Sequence, residues 1–371
     1  MKTLFLFILL VPTLLITSCR ASFQKTYQNQ PLITAKQEVI DYRVGNQWYR
    51  NQWSIAPEIE NDTLVVICYE PQTDFLFQTD QDSISLRVSP GSIHHFYVLL
   101  ADSAYAHTVV QGVPFATQSL QFDDNRTPGL TVSYQSGETS YLQQLREQYP
   151  IVLSAPAGSD QEKVLAVLNW TNSRWQHNGN NAPKKNDAIS ILQEAEAGGQ
   201  FPCFAYAIVL RDQLTSLGYK ARTIYLKSRD AATSNYPPGH VATEVYLDDL
   251  QKWAFLDGQF NVMPTLNGTP LNAVEFQDAV THHYREFELT TLGRPVAKSY
   301  YIDFVYRYLF YLDTSLDNRY DAAESHRIDG KRSMMLVPVG AENLTHINFW
   351  NMEVDYCVYT RSLADFYAAP E

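Results

Sequence analysis

The sequence predicts an α+β protein in which an N-terminal β-sandwich is followed by an α+β domain and a C-terminal β-rich extension. Short β-forming segments separated by turns fill the region from about 36 to 150, and amphipathic helices followed by strand-like runs come after it. With 371 residues, 45% of them hydrophobic, the chain is too long for one typical domain. The predicted boundaries are a signal peptide at 1–18, a tether at 19–35, the β-sandwich at 36–150, the α+β domain at 151–295 and the extension at 296–371.

The N-terminus indicates a processed leader. Lys2 precedes an apolar segment, Leu4 to Ile16, that is too short to span a bilayer comfortably. Leu15 to Cys19 resembles a bacterial lipobox, which implies that Cys19 is lipidated and becomes the first residue of an anchored protein. The alternative is an ordinary signal peptide in which this cysteine is coincidental. Because Arg20-Ala21-Ser22 contains no acidic residue, resemblance to lipoprotein sorting rules favours the outer membrane of a bacterial cell envelope, on an unspecified face.

Seven short segments with β-forming residues predict the sandwich. Turn signals such as Pro90-Gly91 and Pro128-Gly129 separate them. The predicted strands are Glu38 to Val44, Thr63 to Tyr69, Asp74 to Gln78, Ser83 to Val88, His95 to Leu100, Ala106 to Val110 and Leu130 to Tyr134. The aromatic cluster Trp48, Tyr49 and Trp53 could stack on sugars or pack between strands, and packing is the favoured interpretation.

Three helices are predicted within residues 159–218. Ser159 and Glu162 form a capping-box pattern at the start of the first. Asp187 to Ala197 is the second. The third begins at Cys203 and ends at Gly218, which suits a left-handed C-cap. Its apolar stripe recurs at helical spacing through Cys203, Ala207, Leu210, Leu214 and Leu217.

Cys203 is the first candidate functional residue, because it opens a helix. Pro202 suits the entry to a first turn, where a missing N–H costs nothing. The unpaired backbone donors and the positive end of the helix dipole both favour a thiolate at this position. The same N–H groups could hold the oxyanion of a tetrahedral intermediate. The alternative is a small apolar cysteine that fills a helix–sheet interface.

His240 and Asp257 are the next candidates, because a predicted hairpin brings them together. His240 begins a strand-like run that continues to Leu247, and Asp248-Asp249 makes the turn. Lys252 to Leu256 forms the return strand, and Asp257 follows it. His240 and Asp257 are about equally far from the turn, so antiparallel pairing places them side by side. A thiol, an imidazole and a carboxylate in this order suit nucleophile, base and orienting acid.

Roughly residues 187–260 resemble the transglutaminase-like superfamily of papain-related cysteine proteins. The motifs are the helix-opening Cys203, Leu217 to Arg222, His240 with Glu244 to Leu247, and Trp253 four residues before Asp257. The resemblance implies that the second domain is transglutaminase-like, with a helix-borne cysteine packed on an antiparallel sheet. It also implies that Cys203 is the nucleophile, His240 the general base and acid, and Asp257 the orienting carboxylate. Phe201-Pro202 and Val241-Ala242 depart from the family pattern.

The resemblance also has implications for residues near Cys203, His240 and Asp257. In related folds a second oxyanion donor lies upstream of the cysteine, and Gln200, Trp175 and Trp170 all remain open for that role, as does the alternative that they only pack. Glu244 occupies the position of a family scaffold residue. Arg222 is expected to anchor a loop or a carboxylate.

Downstream of these motifs, three further segments are predicted as strands. They are Tyr300 to Tyr311, Ser333 to Val339 and Asn351 to Tyr359. They either extend the catalytic sheet or form a small third layer.

Net charge and residue usage limit the classes of molecule that this protein is expected to bind. The net charge of -12 is spread along the chain, and no basic stripe is present, which argues against nucleic acid. No ligand pattern for zinc or calcium occurs, so neither a metal nor a cofactor is predicted. After removal of the leader, Cys68, Cys203 and Cys357 remain, and a disulfide between Cys68 and Cys357 is left open. The oligomeric state is also left open.

Two function classes follow. The first is a cell-envelope cysteine peptidase, amidase or acyltransferase that acts on peptide or protein amides through an acyl-enzyme. The second is a catalytically silent, lipid-anchored binding or scaffold protein that retains the fold. The complete set Cys203, His240 and Asp257 favours the enzyme.

Overall fold

The computed structural model describes residues 25–60, 62–123, 128–153 and 158–370. The predicted signal peptide and the lipidation site Cys19 lie outside these residues. The backbone forms two compact units, Met1–Pro114 and Phe115–Glu371. The predicted α+β class is confirmed. No helix within the described ranges is both long enough and apolar enough to cross a membrane.

The first unit is built from two β-sheets. Its strands are β1 (Thr26–Tyr27), β2 (Gln30–Ala35), β3 (Val39–Val44), β4 (Gln47–Ser54), β5 (Asp62–Cys68), β6 (Thr73–Gln78), β7 (Ser83–Val88), β8 (Ile93–Leu100) and β9 (Ala104–Pro114). One sheet has the order β1-β2-β8-β9-β5 and the other β4-β3-β6-β7. Strand β2 occupies residues that the sequence assigned to a tether, because its alternating apolar residues Ile33 and Ala35 are buried.

The two sheets share one hydrophobic core, as expected for a β-sandwich. Phe77 and Phe96 come from different sheets, and their rings meet edge to face at 5.0 Å. Trp53 packs against this core, whereas the Arg50 guanidinium covers the ring of Trp48 at 4.0 Å. These contacts agree with packing between strands for the early aromatic cluster.

The second unit contains the candidate site. Its elements are β10 (Ser133–Tyr134), α1 (Ser140–Gln148), α2 (Asp160–Asn172), α3 (Ala188–Glu196), α4 (Cys203–Ser216), β11 (Ala221–Lys227), β12 (Gly239–Leu247), β13 (Lys252–Leu256), β14 (Met263–Leu266), β15 (Thr269–Pro270), α5 (Ala273–His282), β16 (Phe287–Thr290), α6 (Lys298–Val305), a 3-10 turn (Tyr306–Tyr308), β17 (Tyr311–Ser315), β18 (Asp317–Asn318), β19 (Ser333–Leu336), β20 (His346–Ile347), β21 (Met352–Glu353), β22 (Cys357–Thr360) and α7 (Leu363–Phe366). A six-stranded sheet has the order β13-β12-β11-β17-β19-β22. Helices α2 and α4 pack on it through one apolar cluster.

The predicted helix starts are confirmed. Ser159 caps α2 in a capping box with Glu162, and Asp187 caps α3. Helix α4 begins at Cys203, with Pro202 at its N-cap. It ends before Gly218, whose φ of +94° is the left-handed conformation that glycine adopts without strain.

Three features differ from the sequence-based expectation. The predicted sandwich strand Leu130 to Tyr134 is reduced to β10, which pairs with β18 of the second unit. Tyr300 to Tyr311 is mostly helix α6 and the 3-10 turn, because Tyr301, Val305 and Tyr308 recur at helical spacing and are buried. Aromatic residues favour strands, which is why this run resembled one. Helix α1 was not anticipated. Of the two alternatives for the C-terminal strands, β17, β19 and β22 extend the main sheet. The domain boundaries at 150 and 295, as limits of independently folding units, stay predictions.

Cys68 and Cys357 do not form a disulfide, and Cys203 is also a free thiol. Cys68 is buried in the core of the sandwich, whereas Cys357 is buried in a separate cluster of the second unit. Burial raises the pKa of both the Cys68 and the Cys357 thiol. The two thiols are therefore held in their protonated, unreactive form.

Candidate active site

Cys203 lies half-buried in the first turn of α4. The chain in front of it is fixed by the Phe201 carbonyl, which accepts hydrogen bonds from Trp175 Nε1 at 3.3 Å and from the Asn178 backbone N–H at 3.1 Å. The Pro202 cap offers no side-chain acceptor, so side-chain capping does not occupy the donors of the first turn. The thiol therefore lies where free N–H groups and the helix dipole favour a negative charge.

His240 and Asp257 form a buried hydrogen-bonded pair. His240 Nε2 and Asp257 Oδ2 are 2.7 Å apart, and both side chains are almost fully shielded from solvent. The hairpin register explains this proximity, because Thr243 of β12 pairs with Leu256 of β13, the residue before Asp257.

The Asp257 carboxylate has a partner for each oxygen. Oδ1 accepts the backbone N–H groups of Gln259 at 3.0 Å and Phe260 at 3.2 Å. Oδ2 accepts the Tyr301 hydroxyl at 2.9 Å in addition to His240. Four hydrogen bonds therefore hold this carboxylate in one orientation and compensate for its burial.

The charge of His240 is controlled by its surroundings. Burial alone would lower the pKa of the His240 imidazole, but the charge and hydrogen bond of Asp257, together with the neighbouring Cys203 side chain, raise it to about 10. Because Asp257 engages Nε2, Nδ1 is the nitrogen left for the Cys203 sulfur. The arrangement supports a charged imidazolium that faces the Cys203 sulfur.

Tyr301 is the residue that sequence reasoning missed. It lies on α6 and is fully buried, and burial together with the Asp257 charge holds the pKa of its hydroxyl well above the ordinary value. The same helix carries Phe304, whose ring meets the His240 imidazole edge to face at 5.1 Å. The helical spacing of the buried aromatic residues was the available signal, although nothing in the sequence pairs Tyr301 with Asp257.

An open cleft of about 480 Å³ lies beside this group, lined by Asn172, Ser173, Trp175, Gln176, His177, Tyr206 and Gln259. Partial burial of the ring and the neighbouring charge of His240 lower the pKa of His177. Asn172 Nδ2 donates to the carbonyls of Gly258 at 3.0 Å and Gln259 at 2.9 Å, which fixes one wall of the cleft.

The three upstream residues considered as oxyanion donors have different surroundings. The Trp175 indole N–H is engaged by the Phe201 carbonyl. Trp170 is covered by the Arg174 guanidinium at 4.4 Å, and Gln200 is exposed. Trp175 therefore serves the fold, whereas the roles of Gln200 and Trp170 stay predictions. Over the ranges that the structure describes, no three His, Cys, Asp or Glu side chains group as ligands for a metal.

Arg222 of β11 and Glu244 of β12 form a fully buried ion pair. Arg222 Nη2 lies 2.7 Å from Glu244 Oε2, and Arg222 Nη1 donates to the Phe366 carbonyl at 2.7 Å. Glu244 Oε1 accepts the Ala273 N–H at 3.0 Å and the Tyr367 hydroxyl at 3.1 Å. These contacts support scaffold roles for both residues, since the pair joins β11, β12, α5 and the C-terminal segment.

The model of the transglutaminase-like superfamily matches residues 148–258. No curated protein matches the chain. Similar solved structures include a putative cysteine protease from Cytophaga hutchinsonii, with 16% identity and a TM-score of 0.27, covering 58% of this chain and 65% of that one. A TGase has 17% identity and a TM-score of 0.23, covering 32% of this chain and 30% of that one. Red sea bream transglutaminase has 13% identity and a TM-score of 0.23, and the match covers 50% of this chain and 37% of that one. This chain thus spans less than two thirds of each of these structures.

Proposed function

We propose that this chain, whose residues 148–258 form a domain of the transglutaminase-like superfamily, is a cysteine enzyme that acts on peptide or protein amides through an acyl-enzyme. The observation that carries the proposal is the buried hydrogen bond between His240 and Asp257, with Cys203 as the further partner of His240. Nucleophilic thiol catalysis requires these three groups in contact. The open cleft beside them supplies room for an extended substrate.

In the proposed mechanism, the thiolate of Cys203 attacks the carbonyl carbon of the amide. The backbone N–H of Cys203 stabilises the oxyanion of the tetrahedral intermediate. His240 then donates its proton to the leaving nitrogen, and the C–N bond breaks to leave a thioester. Attack by water on the thioester gives a peptidase or amidase, and attack by an amine gives an acyltransferase.

The proposal extends to the location of the protein. The lipobox-like segment that ends at Cys19 supports a lipid anchor in the bacterial cell envelope, with the outer membrane favoured. Metabolic labelling with a palmitate analogue tests this point. We expect labelling of the wild-type protein and its loss in Cys19→Ala, whereas equal labelling of both would contradict the anchor.

Alkylation by iodoacetamide near pH 7 tests the enzyme proposal. We expect fast labelling of Cys203, because His240 stabilises the thiolate, and a rate at least about tenfold lower in His240→Ala. Cys203→Ser is the control for labelling at the other thiols. Equally slow labelling of wild type and His240→Ala would instead support the silent binding or scaffold protein.

A further inference from the structure

Three large aromatic side chains remain exposed next to the strand that carries His240. Tyr236 is 74% exposed, Trp350 48% and Phe349 43%. We refer to these three residues as the aromatic rim. Clustered apolar surface of this kind is uncommon on a protein unless it binds something.

The rim lies against the backbone next to His240. A Cβ placed on Gly239 would lie 3.4 Å from Cη2 of Trp350, so the indole packs on the bare backbone of the residue before His240. Trp350 is therefore within one residue of the imidazole-bearing position.

Hydrogen bonds hold the two parts of the rim together. Asn348 Nδ2 donates to the Ser234 carbonyl and to Asn235 Oδ1, both at 3.2 Å. The Asn348 backbone N–H donates to the Ala231 carbonyl at 3.2 Å. The turn with Phe349 and Trp350 is thus fixed to the loop with Tyr236, and the rim is largely formed before a ligand arrives.

Two polar side chains beside the rings already have hydrogen-bond partners. The Asn348 amide nitrogen holds the loops, while Ser234 Oγ donates to the Tyr236 carbonyl at 3.1 Å and accepts its N–H at 3.2 Å. A site for sugars would need free hydrogen-bond donors and acceptors beside the rings. The rim presents mainly ring surface, which suits an uncharged apolar group.

We propose that the aromatic rim is the subsite for an apolar side chain on the leaving-amine side of a peptide substrate, with Trp350 as its specificity-determining residue. This inference rests on the proposed function. Because His240 must reach the leaving nitrogen, the leaving portion of the substrate lies next to His240, and Trp350 packs on the residue before it. Phe349 and Trp350 lie outside residues 148–258, so this specificity comes from the C-terminal extension.

Partitioning of an acyl-enzyme between two amines tests the subsite. Attack of Cys203 on p-nitrophenyl acetate forms a thioester and releases p-nitrophenolate, while the thiol proton passes through His240 to solvent. An added amine then attacks the thioester, loses a proton to His240 and restores the thiol. Aminolysis is the reverse of amide cleavage, so the amine occupies the leaving-group subsite.

For the wild-type protein we expect faster aminolysis by phenylalaninamide than by glycinamide. Trp350→Ala should lower the rate with phenylalaninamide about tenfold, which is typical for loss of an apolar contact, and leave the rate with glycinamide unchanged. Trp350→Phe should retain most of the preference. Tyr300→Ala, which removes an aromatic residue 55% exposed outside the rim, is the matched control and should match the wild type.

The outcomes separate the two proposals. Alkylation by iodoacetamide at wild-type rate in each variant shows that Cys203 and His240 are intact. Acylation of the wild type without an amine preference, or an equal loss with both amines in Trp350→Ala, would overturn the subsite alone. If p-nitrophenyl acetate fails to acylate a wild-type protein that iodoacetamide does label, the enzyme proposal fails and the subsite fails with it.

Discussion

At the scale of single residues, the site depends on how one carboxylate oxygen is shared. Asp257 Oδ2 accepts hydrogen bonds from both His240 and the Tyr301 hydroxyl. Each of these two hydrogen bonds therefore weakens the other. Tyr301 therefore limits the stabilisation that Asp257 gives to the imidazolium. This makes Tyr301 a positioning residue, one that acts on the reacting atoms through Asp257 and His240.

Replacing Tyr301 with phenylalanine tests this role. We expect a higher pKa for His240, because among the described residues it is then the only side-chain donor to Asp257, and a loss of roughly 2 kcal/mol in the free energy of unfolding. NMR titration of the His240 ring measures the first and urea unfolding the second. Tyr308→Phe is the matched control, since the Tyr308 hydroxyl contacts the Pro237 carbonyl at 3.4 Å instead. An unchanged His240 titration in Tyr301→Phe would contradict the sharing.

The raised pKa of His240 also predicts a pH dependence of stability. Its pKa is about 10 in the folded protein and about 6.5 when the side chain is free. Because the folded state binds the proton more tightly, the stabilisation is complete below pH 6.5 and is lost as the pH rises towards 10. We expect the free energy of unfolding of wild type, relative to His240→Gln, to fall by a few kcal/mol over that window. A difference that stays constant with pH would refute this assignment.

At the scale of elements, helix α4 positions the sulfur because its two ends are defined by local signals. Gly218 stops the helix in a conformation that other residues rarely adopt, with φ of +94° and open space where a Cβ would lie. The cost of a side chain there is conformational and not steric.

Gly218→Ala should therefore destabilise the protein by about 1 kcal/mol, because alanine is strained at positive φ. Urea unfolding monitored by tryptophan fluorescence measures the change. Gly129→Ala is the control, since its backbone is outside the left-handed region and the new Cβ would make only an ordinary contact with Asp365. Equal effects of the two substitutions would mean that φ does not set the cost.

The difference between local and long-range interactions explains what the sequence could predict. The ends of α4 and the β12–β13 hairpin were predicted because caps, glycine and alternation act within a few residues of each other. Tyr301 was missed because its partner Asp257 is 44 positions away, and only the folded chain selects that contact. In α6, the aromatic residues favour a strand, whereas the spacing of the apolar residues favours a helix. The helix forms because it buries these apolar residues.

At the scale of the whole second unit, the C-terminal residues complete a core that begins far upstream. The Phe366 carbonyl accepts from Arg222 across 144 positions, and the Ala368 carbonyl accepts from Trp253 Nε1 at 3.0 Å. The Tyr367 hydroxyl donates to Glu244. The last segment thus supplies further hydrogen-bond partners to buried polar groups of the core.

A chain that ends at Ser362 should consequently be much less stable than the full chain. Arg222 would lose its carbonyl acceptor and its ring contact with Phe366 at 4.6 Å, and the buried Trp253 Nε1 would lose its acceptor, at a cost of roughly 1–3 kcal/mol for each unsatisfied group. Thermal unfolding measures the loss, and the rate of Cys203 alkylation during heating reports whether the site opens with the sheet. Tyr367→Phe, which removes one hydroxyl and keeps the chain, should show a smaller shift in the same direction. If the shortened chain melts at the temperature of the full chain, the C-terminal segment is not part of the core that supports His240 and Asp257.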